Sequence, residues 1–255
     1  MRGRRALDAA RRPGYGRVST RSAADTARAA LFAATSPNRF FDADRFSADT
    51  LTSYITPANT LVKSAGTFAT PVADAAFGGA KALLFTGTQW MDSNEAVSAW
   101  NPSCDGTGFS LIHVYSMTSL PANVVLGCTQ SAGGGTGSQL LLNGGTHYLQ
   151  IIGIGSIVFA GGAGGALNTP TYSGYTYSEA ASPKYDVRVK ASSVASGAPT
   201  GAPASPCAIP FRLGAASDGT LPASMRWRAT MTWNRVLTAP DYTALAAYAA
   251  TLGIV

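Results

Sequence analysis

Residues 226–234 read RWRATMTWN, a stretch in which apolar and polar side chains alternate. One face would carry Trp227, Ala229, Met231 and Trp233, because successive side chains of a strand point to opposite sides. Alternation with a period of two is typical of a half-buried antiparallel strand. We therefore predict a strand here whose apolar face closes a hydrophobic core.

Two further signals flank this strand. Residues 209–215 read IPFRLGA and predict a short strand with Phe211 and Leu213 on one face, followed by the turn signal ASDG. Residues 238–241 read TAPD, which is typical of a capped helix start, and apolar residues then recur at helical spacing up to Gly253. The end of the chain thus predicts strand, turn, strand and helix.

The closing segment FRLGAASDG and MRWRATMTWNRVLTAPDYTALAAYAATLGI resembles the C-terminal signature of the concanavalin A-like lectin/glucanase superfamily, in its laminin-G-like branch. The resemblance covers roughly residues 37–255. It implies a jelly-roll sandwich of two antiparallel sheets, a fold that hosts sugar binders, glycosidases, adhesion modules and phage structural proteins. The resemblance therefore predicts a fold and leaves several activities open.

Composition agrees with an all-β fold. The 255 residues suit one large sandwich, and a charged fraction of only 13% with abundant Gly disfavours a helical bundle. We predict a jelly-roll sandwich of two antiparallel sheets with a short C-terminal helix and a flexible basic N-terminal arm. The predicted domains are the arm at 1–36 and the sandwich at 37–255, although residues 23–34 have the composition of a short helix that could dock.

Within the sandwich, residues 109–117 read FSLIHVYSM and predict a central strand covered on both faces. Residues 161–177 are rich in Gly and Tyr and predict a long loop. Residues 191–207, rich in Pro, Ala and Ser, predict a surface excursion.

Basic charge is concentrated at the N-terminus. Residues 1–39 contain nine arginines against two aspartates, a balance of +7, whereas the remainder is close to neutral. Arg pairs with phosphate and carboxylate, so the arm predicts docking onto a protein assembly, namely viral capsid or tail proteins, with homo-oligomers on the particle. A solvated tail without a partner is the alternative. The anchoring residues would be Arg2, Arg4, Arg5, Arg11, Arg12 and Arg17.

The sequence offers little support for catalysis. A glycosidase of this superfamily needs two facing carboxylates, but the only glutamates, Glu95 and Glu179, have no acid two to five residues further on. His113 and His147 each lie in a predicted strand and are interpreted as structural. We therefore predict no catalytic residues, no enzyme activity, no metal and no cofactor.

Three cysteines, Cys104, Cys128 and Cys207, form no CxxC pair and are interpreted as buried thiols. The Arg-rich start lacks the apolar run of a secretory signal, and no apolar span is long enough for a membrane helix. Synthesis in a cytoplasm is therefore expected.

Sugar binding requires aromatic rings beside amide, carboxylate and hydroxyl groups. Two stretches have this composition, around residues 90–101 and 172–177, although both tryptophans of the first could instead cap the core. The candidate contacts with a carbohydrate or partner are Trp90, Asp92, Asn94, Trp100, Tyr172, Tyr175 and Tyr177.

Taken together, the resemblance, the arm and the missing signal predict a non-enzymatic bacteriophage virion accessory protein: a capsid decoration, head spike or tail-associated module. It would be made in the host cytoplasm and reside on the virion, where it could contact a host-surface glycan. The alternative is a free-standing carbohydrate-binding lectin or adhesion domain.

Overall fold

The computed structural model describes residues 23–131, 135–152, 162–163 and 166–255. Two α-helices are present in this part of the chain, α1 (Ala23–Thr35) and α2 (Ala239–Ala250), together with short 3-10 turns at Ala43–Arg45, Ala75–Phe77 and Val97–Ser103. The strands in chain order are β1 (Arg39–Asp42), β2 (Phe46–Ser47), β3 (Thr50–Thr52), β4 (Thr60–Ala65), β5 (Val72–Ala73), β6 (Lys81–Thr86), β7 (Trp90–Ser93), β8 (Phe109–Met117), β9 (Val124–Cys128), β10 (Gly137–Asn143), β11 (Thr146–Ile152), β12 (Gly162–Ala163), β13 (Thr171–Tyr177), β14 (Tyr185–Val189), β15 (Ser192–Gly197), β16 (Arg212–Leu213) and β17 (Ser224–Trp233).

Within the described residues these strands form two antiparallel sheets, which confirms the predicted all-β sandwich. The first sheet has the order β15-β14-β13-β8-β17-β6-β5, and β1 also pairs with β17. The second has the order β12-β11-β10-β9-β16-β7-β4-β3-β2. Sequence-distant strands lie side by side in both sheets, as a sandwich with crossing connections requires.

Three layers result from this arrangement. The main core lies between the sheets, where side chains such as Leu83, Leu140 and Trp227 are fully buried. A second core lies on the other side of the first sheet, where α1 and α2 cover residues such as Ile112 and Trp233. Burial on both faces explains the continuous apolar run of β8, as the sequence predicted.

The alternation predicted for β17 is interrupted by a β-bulge at Arg228. Trp227 pairs with Tyr115 and Ala229 with the next residue, Val114, so one residue of β17 has no partner in β8. Trp227 therefore packs between the sheets, whereas Ala229 packs against the helices. The prediction that one face carries all four apolar residues is wrong at Trp227, because the extra residue reverses the direction of the side chains.

The predicted loop at 161–177 contains the two-residue strand β12, its residues 161, 164 and 165 lie outside the described residues, and the prediction is wrong again from Thr171 onward. These residues form β13, an interior strand between β8 and β14 that is buried throughout. The surface excursion predicted at 191–207 contains the edge strand β15.

Helix α1 shows that the predicted arm is partly docked. Leu31 is 1% exposed, the Phe32 ring lies 4.9 Å from the Phe40 ring, and Arg28 Nη1 lies 3.2 Å from Asp42 Oδ2. No helix in the described part of the chain combines the length and the apolar character needed to cross a membrane.

Candidate functional site

Four polar residues and the buried Cys128 line up across the outer face of the second sheet. Gln150, Gln139, Cys128, Arg212 and Asp92 are consecutive partners in register across β11, β10, β9, β16 and β7. Their chain neighbours, including Leu140, Leu149 and Leu213, point into the core between the sheets. Alternation along each strand therefore places this row on the face turned away from the core.

An ion pair anchors the middle of the row. Arg212 binds Asp92 through two hydrogen bonds, Nε to Oδ1 at 2.5 Å and Nη2 to Oδ2 at 2.8 Å. Its Nη1 donates to the carbonyl oxygens of Ala216 and Ser217, at 3.1 and 2.5 Å. Arg212 thereby fastens the loop after β16 onto the sheet, and its guanidinium lies 5.4 Å from the Trp90 ring.

A cleft of about 170 Å³ opens between this loop and strands β9 and β10. Amide, hydroxyl and carboxylate groups dominate its lining, which consists of Gln130, Ser131, Gln139, Ala216, Ser217, Asp218, Thr220 and Leu221. Typical ligand pockets measure roughly 300–1,000 Å³. The cleft is therefore sized for one small polar ring.

Gln130 is the unusual residue of the cleft. It is only 8% exposed, yet its Oε1 has no hydrogen-bond partner among the residues that the structure describes. A buried polar atom left unpaired costs about 1–3 kcal/mol, so such atoms call for an explanation. A hydrogen-bond donor from a ligand in the cleft would supply one.

Asp218 contributes a negative charge at the mouth of the cleft. Its Oδ1 accepts hydrogen bonds from the backbone N and the Oγ1 of Thr220, at 2.9 and 2.6 Å, and these bonds lower the pKa of Asp218. The carboxylate therefore stays ionised near neutral pH and acts as a hydrogen-bond acceptor.

The turn that holds Asp218 requires glycine at its next position. Gly219 has a φ of +78°, and a Cβ there would lie 2.6 Å from Cη2 of Trp90. Trp90 thus packs beneath the turn and sets its height above the sheet.

Asp92 and Trp90, both predicted from the sequence, are brought together at this site. Asn94 has another role: its Oδ1 accepts from the backbone N of Thr60 at 2.8 Å and its Nδ2 donates to the carbonyl oxygen of Ala58 at 3.0 Å. It stabilises the turn that precedes β4.

The other predicted contact residues are interior. Trp100 is fully buried and stacks on Phe211, with ring centroids 4.8 Å apart. Tyr172, Tyr175 and Tyr177 are at most 3% exposed, because β13 is an interior strand. These four aromatic rings pack into the cores.

The two glutamates form hydrogen bonds with other side chains of the protein. Both carboxylate oxygens of Glu95 accept from Arg39, at 2.6 and 2.8 Å. Glu179 accepts from Lys184 and Tyr177, and the hydrogen bond from Lys184 lowers its pKa. A general acid in glycoside hydrolysis instead needs a raised pKa.

Four residues of this site, Gln130, Gln139, Arg212 and Asp218, were not among the contact residues predicted from the sequence. One usable signal exists: Arg212 and Asp218 are the only charged residues between Lys190 and Arg226. The arginines proposed to anchor the arm, from Arg2 to Arg17, lie outside the described residues, and their partners and the location of the protein stay predictions.

No protein-family model matches the chain, and no curated protein matches it in sequence. Solved structures match in fold. A mutant of Trypanosoma rangeli sialidase with trans-sialidase activity is 13% identical with a TM-score of 0.61, over 87% of this chain and 34% of the sialidase. The same organism's sialidase in complex with sialic acid is 11% identical with a TM-score of 0.55, over 82% and 32%. A GH54 α-L-arabinofuranosidase soaked with a cyclic sulfate inhibitor is 12% identical with a TM-score of 0.60, over 80% and 50%.

These likenesses establish a β-sandwich of the kind found within glycosidases. The chain spans about a third of the length of the sialidases and half that of the arabinofuranosidase. They correct the prediction of a non-enzymatic bacteriophage virion protein, because the solved structures that share the fold are a sialidase and an arabinofuranosidase. The prediction that the protein has no enzyme activity is corrected on the same ground.

Proposed function

We propose that the chain is a glycan-recognising β-sandwich that works as part of, or together with, a carbohydrate-processing enzyme. The observation that carries the proposal is the buried Oε1 of Gln130, which has no hydrogen-bond partner among the described residues and lies in a cleft lined by amide, hydroxyl and carboxylate groups. A sugar ring presents several hydroxyl groups, each of which both donates and accepts hydrogen bonds. Gln130 would accept one bond, and the Asp218 carboxylate a second.

The surroundings of the cleft suit a sugar for a second reason. Trp90 lies beneath the loop, and Tyr148 is the direct cross-strand partner of Leu141 on the outer face. Aromatic and aliphatic side chains pack against the apolar faces of sugar rings. The polar row of the sheet would extend the contact beyond the first sugar unit.

The fold likeness supports a link to carbohydrate processing. The related folds belong to a sialidase and an arabinofuranosidase, and in both cases this chain corresponds to only part of the enzyme. The closing segment further supports placing the sandwich in the concanavalin A-like superfamily, a finer classification that we propose. Sialylated and arabinofuranosyl glycans are accordingly the first ligands to test.

The chemistry of the cleft favours binding over proton donation. Asp218 has a lowered pKa, and a general acid requires a carboxyl group that is protonated near the working pH. The contribution that we assign to this face is therefore recognition, with the glycan held for cleavage at a site formed elsewhere in the enzyme.

Calorimetric titration with sialyllactose and arabino-oligosaccharides tests the proposal. Asp218→Asn and Gln130→Leu should each weaken binding about tenfold or more, as removing a hydrogen bond to a charged or buried group does. Asp105→Asn is a matched control, because Asp105 binds the N and Oγ1 of Thr107 at 2.9 and 2.7 Å in the same type of turn away from the cleft. Binding that is unchanged in both cleft variants, or no binding of any glycan on an array, would contradict the proposal.

A further inference from the structure

Cys104 and Cys207 meet between two segments that are far apart in the sequence. Their Sγ atoms lie 3.0 Å apart although 103 positions separate them in the chain. Both residues are buried, at 0% and 2% exposure. A disulfide bond has an S–S length of about 2.05 Å, so the sulfurs need to approach by only about 1 Å.

The backbone on both sides of the pair is already held together. The backbone N of Cys207 donates to Asn101 Oδ1 at 2.9 Å, and the backbone N of Ala204 donates to the carbonyl oxygen of Cys104 at 3.3 Å. These bonds fix the positions from which the two side chains extend. Little backbone movement is therefore needed to bring the sulfurs into bonding distance.

We propose that Cys104 and Cys207 form an intramolecular disulfide bond, a modification site that ties the segment before β16 to the turn at Val97–Ser103. The oxidant is a small-molecule disulfide. The thiolate of Cys207 attacks one of its sulfurs and releases one small thiol; Cys104 then loses its proton, attacks the Cys207 sulfur and releases the second. Two protein thiols are oxidised, and one small disulfide is reduced to two thiols.

The electrostatics fit these roles. Hydrogen bonds from Cys104, Ser103 and Thr129 lower the pKa of Cys207 to about 7, so a large fraction of Cys207 is already thiolate near neutral pH when the segment opens. The third cysteine provides the contrast. Burial raises the pKa of Cys128 to about 12, and its Sγ donates to the carbonyl oxygen of Ala215 at 3.3 Å.

Burial implies that exchange takes place while the segment is open, as during folding or local unfolding. Once formed, the bond would fix the segment that leads into Phe211 and Arg212. Trp100, whose carbonyl oxygen accepts from the Cys207 thiol at 3.1 Å, stacks on Phe211. The bond would thus support the strand that anchors the cleft.

Peptide mapping of the unmodified full-length chain tests the bond directly. The protein is refolded with oxidised glutathione, blocked with N-ethylmaleimide in denaturant and digested with trypsin and an Asp-N protease. This digestion separates Cys104 in 92–104, Cys128 in 105–184 and Cys207 in 191–212. We expect 92–104 linked to 191–212, two hydrogens lighter than their sum, and Cys128 carrying maleimide.

Melting temperatures provide a second measurement. Reduction should lower the Tm by roughly 5–15 °C, because the bond closes a loop of about 100 residues. Cys128→Ala should keep this difference, and the double variant Cys104→Ala with Cys207→Ala should lose it. Three mapping results would overturn the proposal: maleimide on both Cys104 and Cys207, a persistent glutathione adduct on Cys207, or a disulfide bond to Cys128. The mapping uses the unmodified chain, so its result does not depend on whether the variants fold.

Discussion

Arg228 Nη2 lies 3.4 Å from Asp42 Oδ2, in a place where neither side chain is more than 1% exposed. The guanidinium reaches this position because the β-bulge in β17 turns Arg228 toward the 3-10 turn at Ala43–Arg45, where Nη2 also binds Asp44 at 2.7 Å. Burial raises the pKa of Asp42, and the positive charges of Arg228 and Arg28 oppose this change. The buried charges thus depend on one another.

Removing the carboxylate of this buried pair should therefore lower the free energy of unfolding. Asp42→Asn keeps the oxygen that accepts from the backbone N of Asp44 but removes the buried counter-charge of Arg228, which then has only the more exposed Asp44 as a carboxylate partner. We expect a loss of about 3–5 kcal/mol in the free energy of unfolding, measured by urea denaturation. The control is Asp74→Asn, which breaks the more exposed pair with Arg226 and should cost less than about 1 kcal/mol. Equal losses in the two variants would show that burial adds nothing to the Arg228 contact.

His113 should make stability dependent on pH. Burial lowers its pKa to about 3, against 6.5 in the unfolded chain. Between these values the unfolded state binds more protons, so this stabilisation is present above pH 6.5 and is lost as the pH falls toward 3. Each pKa unit corresponds to about 1.4 kcal/mol, so the loss should reach several kcal/mol.

The measurement is urea denaturation of the parent and of His113→Gln at intervals from pH 8 to pH 4. The glutamine has no charge to gain, so the parent should lose stability more steeply below pH 6.5. The same pH slope in both proteins would assign the acid sensitivity to other groups.

The sandwich and the C-terminal helix could be predicted because each follows from a regular pattern. The alternation of β17, the double-sided apolar run of β8 and the start signal of α2 are local properties of the sequence. Asp241 accepts from the backbone N and the Oγ1 of Thr238 at the start of α2, at 2.7 and 2.8 Å, as the TAPD sequence suggests.

Strand β13 was not predicted because its residues are not the aliphatic ones that usually mark a buried strand. Tyr175 buries a ring but satisfies its hydroxyl with Ser138 Oγ of the opposite sheet, at 2.6 Å. Gly174 is present because a Cβ would collide with the carbonyl oxygen of Leu111 in β8. Both reasons depend on strands distant in sequence, so Gly and Tyr were interpreted as loop signals.

The candidate cleft escaped prediction for a similar reason. Gln130, Gln139 and Asp218 come from three separate segments, and only the register of β9, β10 and β16 places them side by side. The sequence around each of these residues does not indicate that the other two lie beside it in the fold.

The turn above Trp90 can be tested by adding one methyl group. Gly219 and Gly79 both have positive φ, +78° and +86°, but a Cβ at Gly79 would meet no atom of the described residues within 4 Å. Gly79→Ala therefore measures backbone strain alone, about 1 kcal/mol, whereas Gly219→Ala adds the collision with the ring and should cost about 1–3 kcal/mol more. Because the ring sets the height of the loop, Gly219→Ala should also weaken glycan binding. Matching losses in urea denaturation would mean that Trp90 does not support the turn.

The N-terminal helix bears on where the folded body begins. Besides burying Leu31, α1 is held at its end by Arg235, whose Nη2 donates to the carbonyl oxygen of Thr35 at 2.7 Å. We propose that α1 belongs to the folded body, which then starts before Pro37. A chain starting at residue 23 should melt at the same temperature as the full chain. A chain starting at residue 37 lacks α1 and exposes the part of the second core around Phe40. Loss of the buried Leu31 side chain alone should lower the free energy of unfolding by about 2 kcal/mol, which corresponds to a Tm lower by roughly 4–8 °C. The measurement is scanning calorimetry of the three chains. An unchanged Tm for the chain starting at residue 37 would show that α1 does not stabilise the sandwich and belongs to the N-terminal arm.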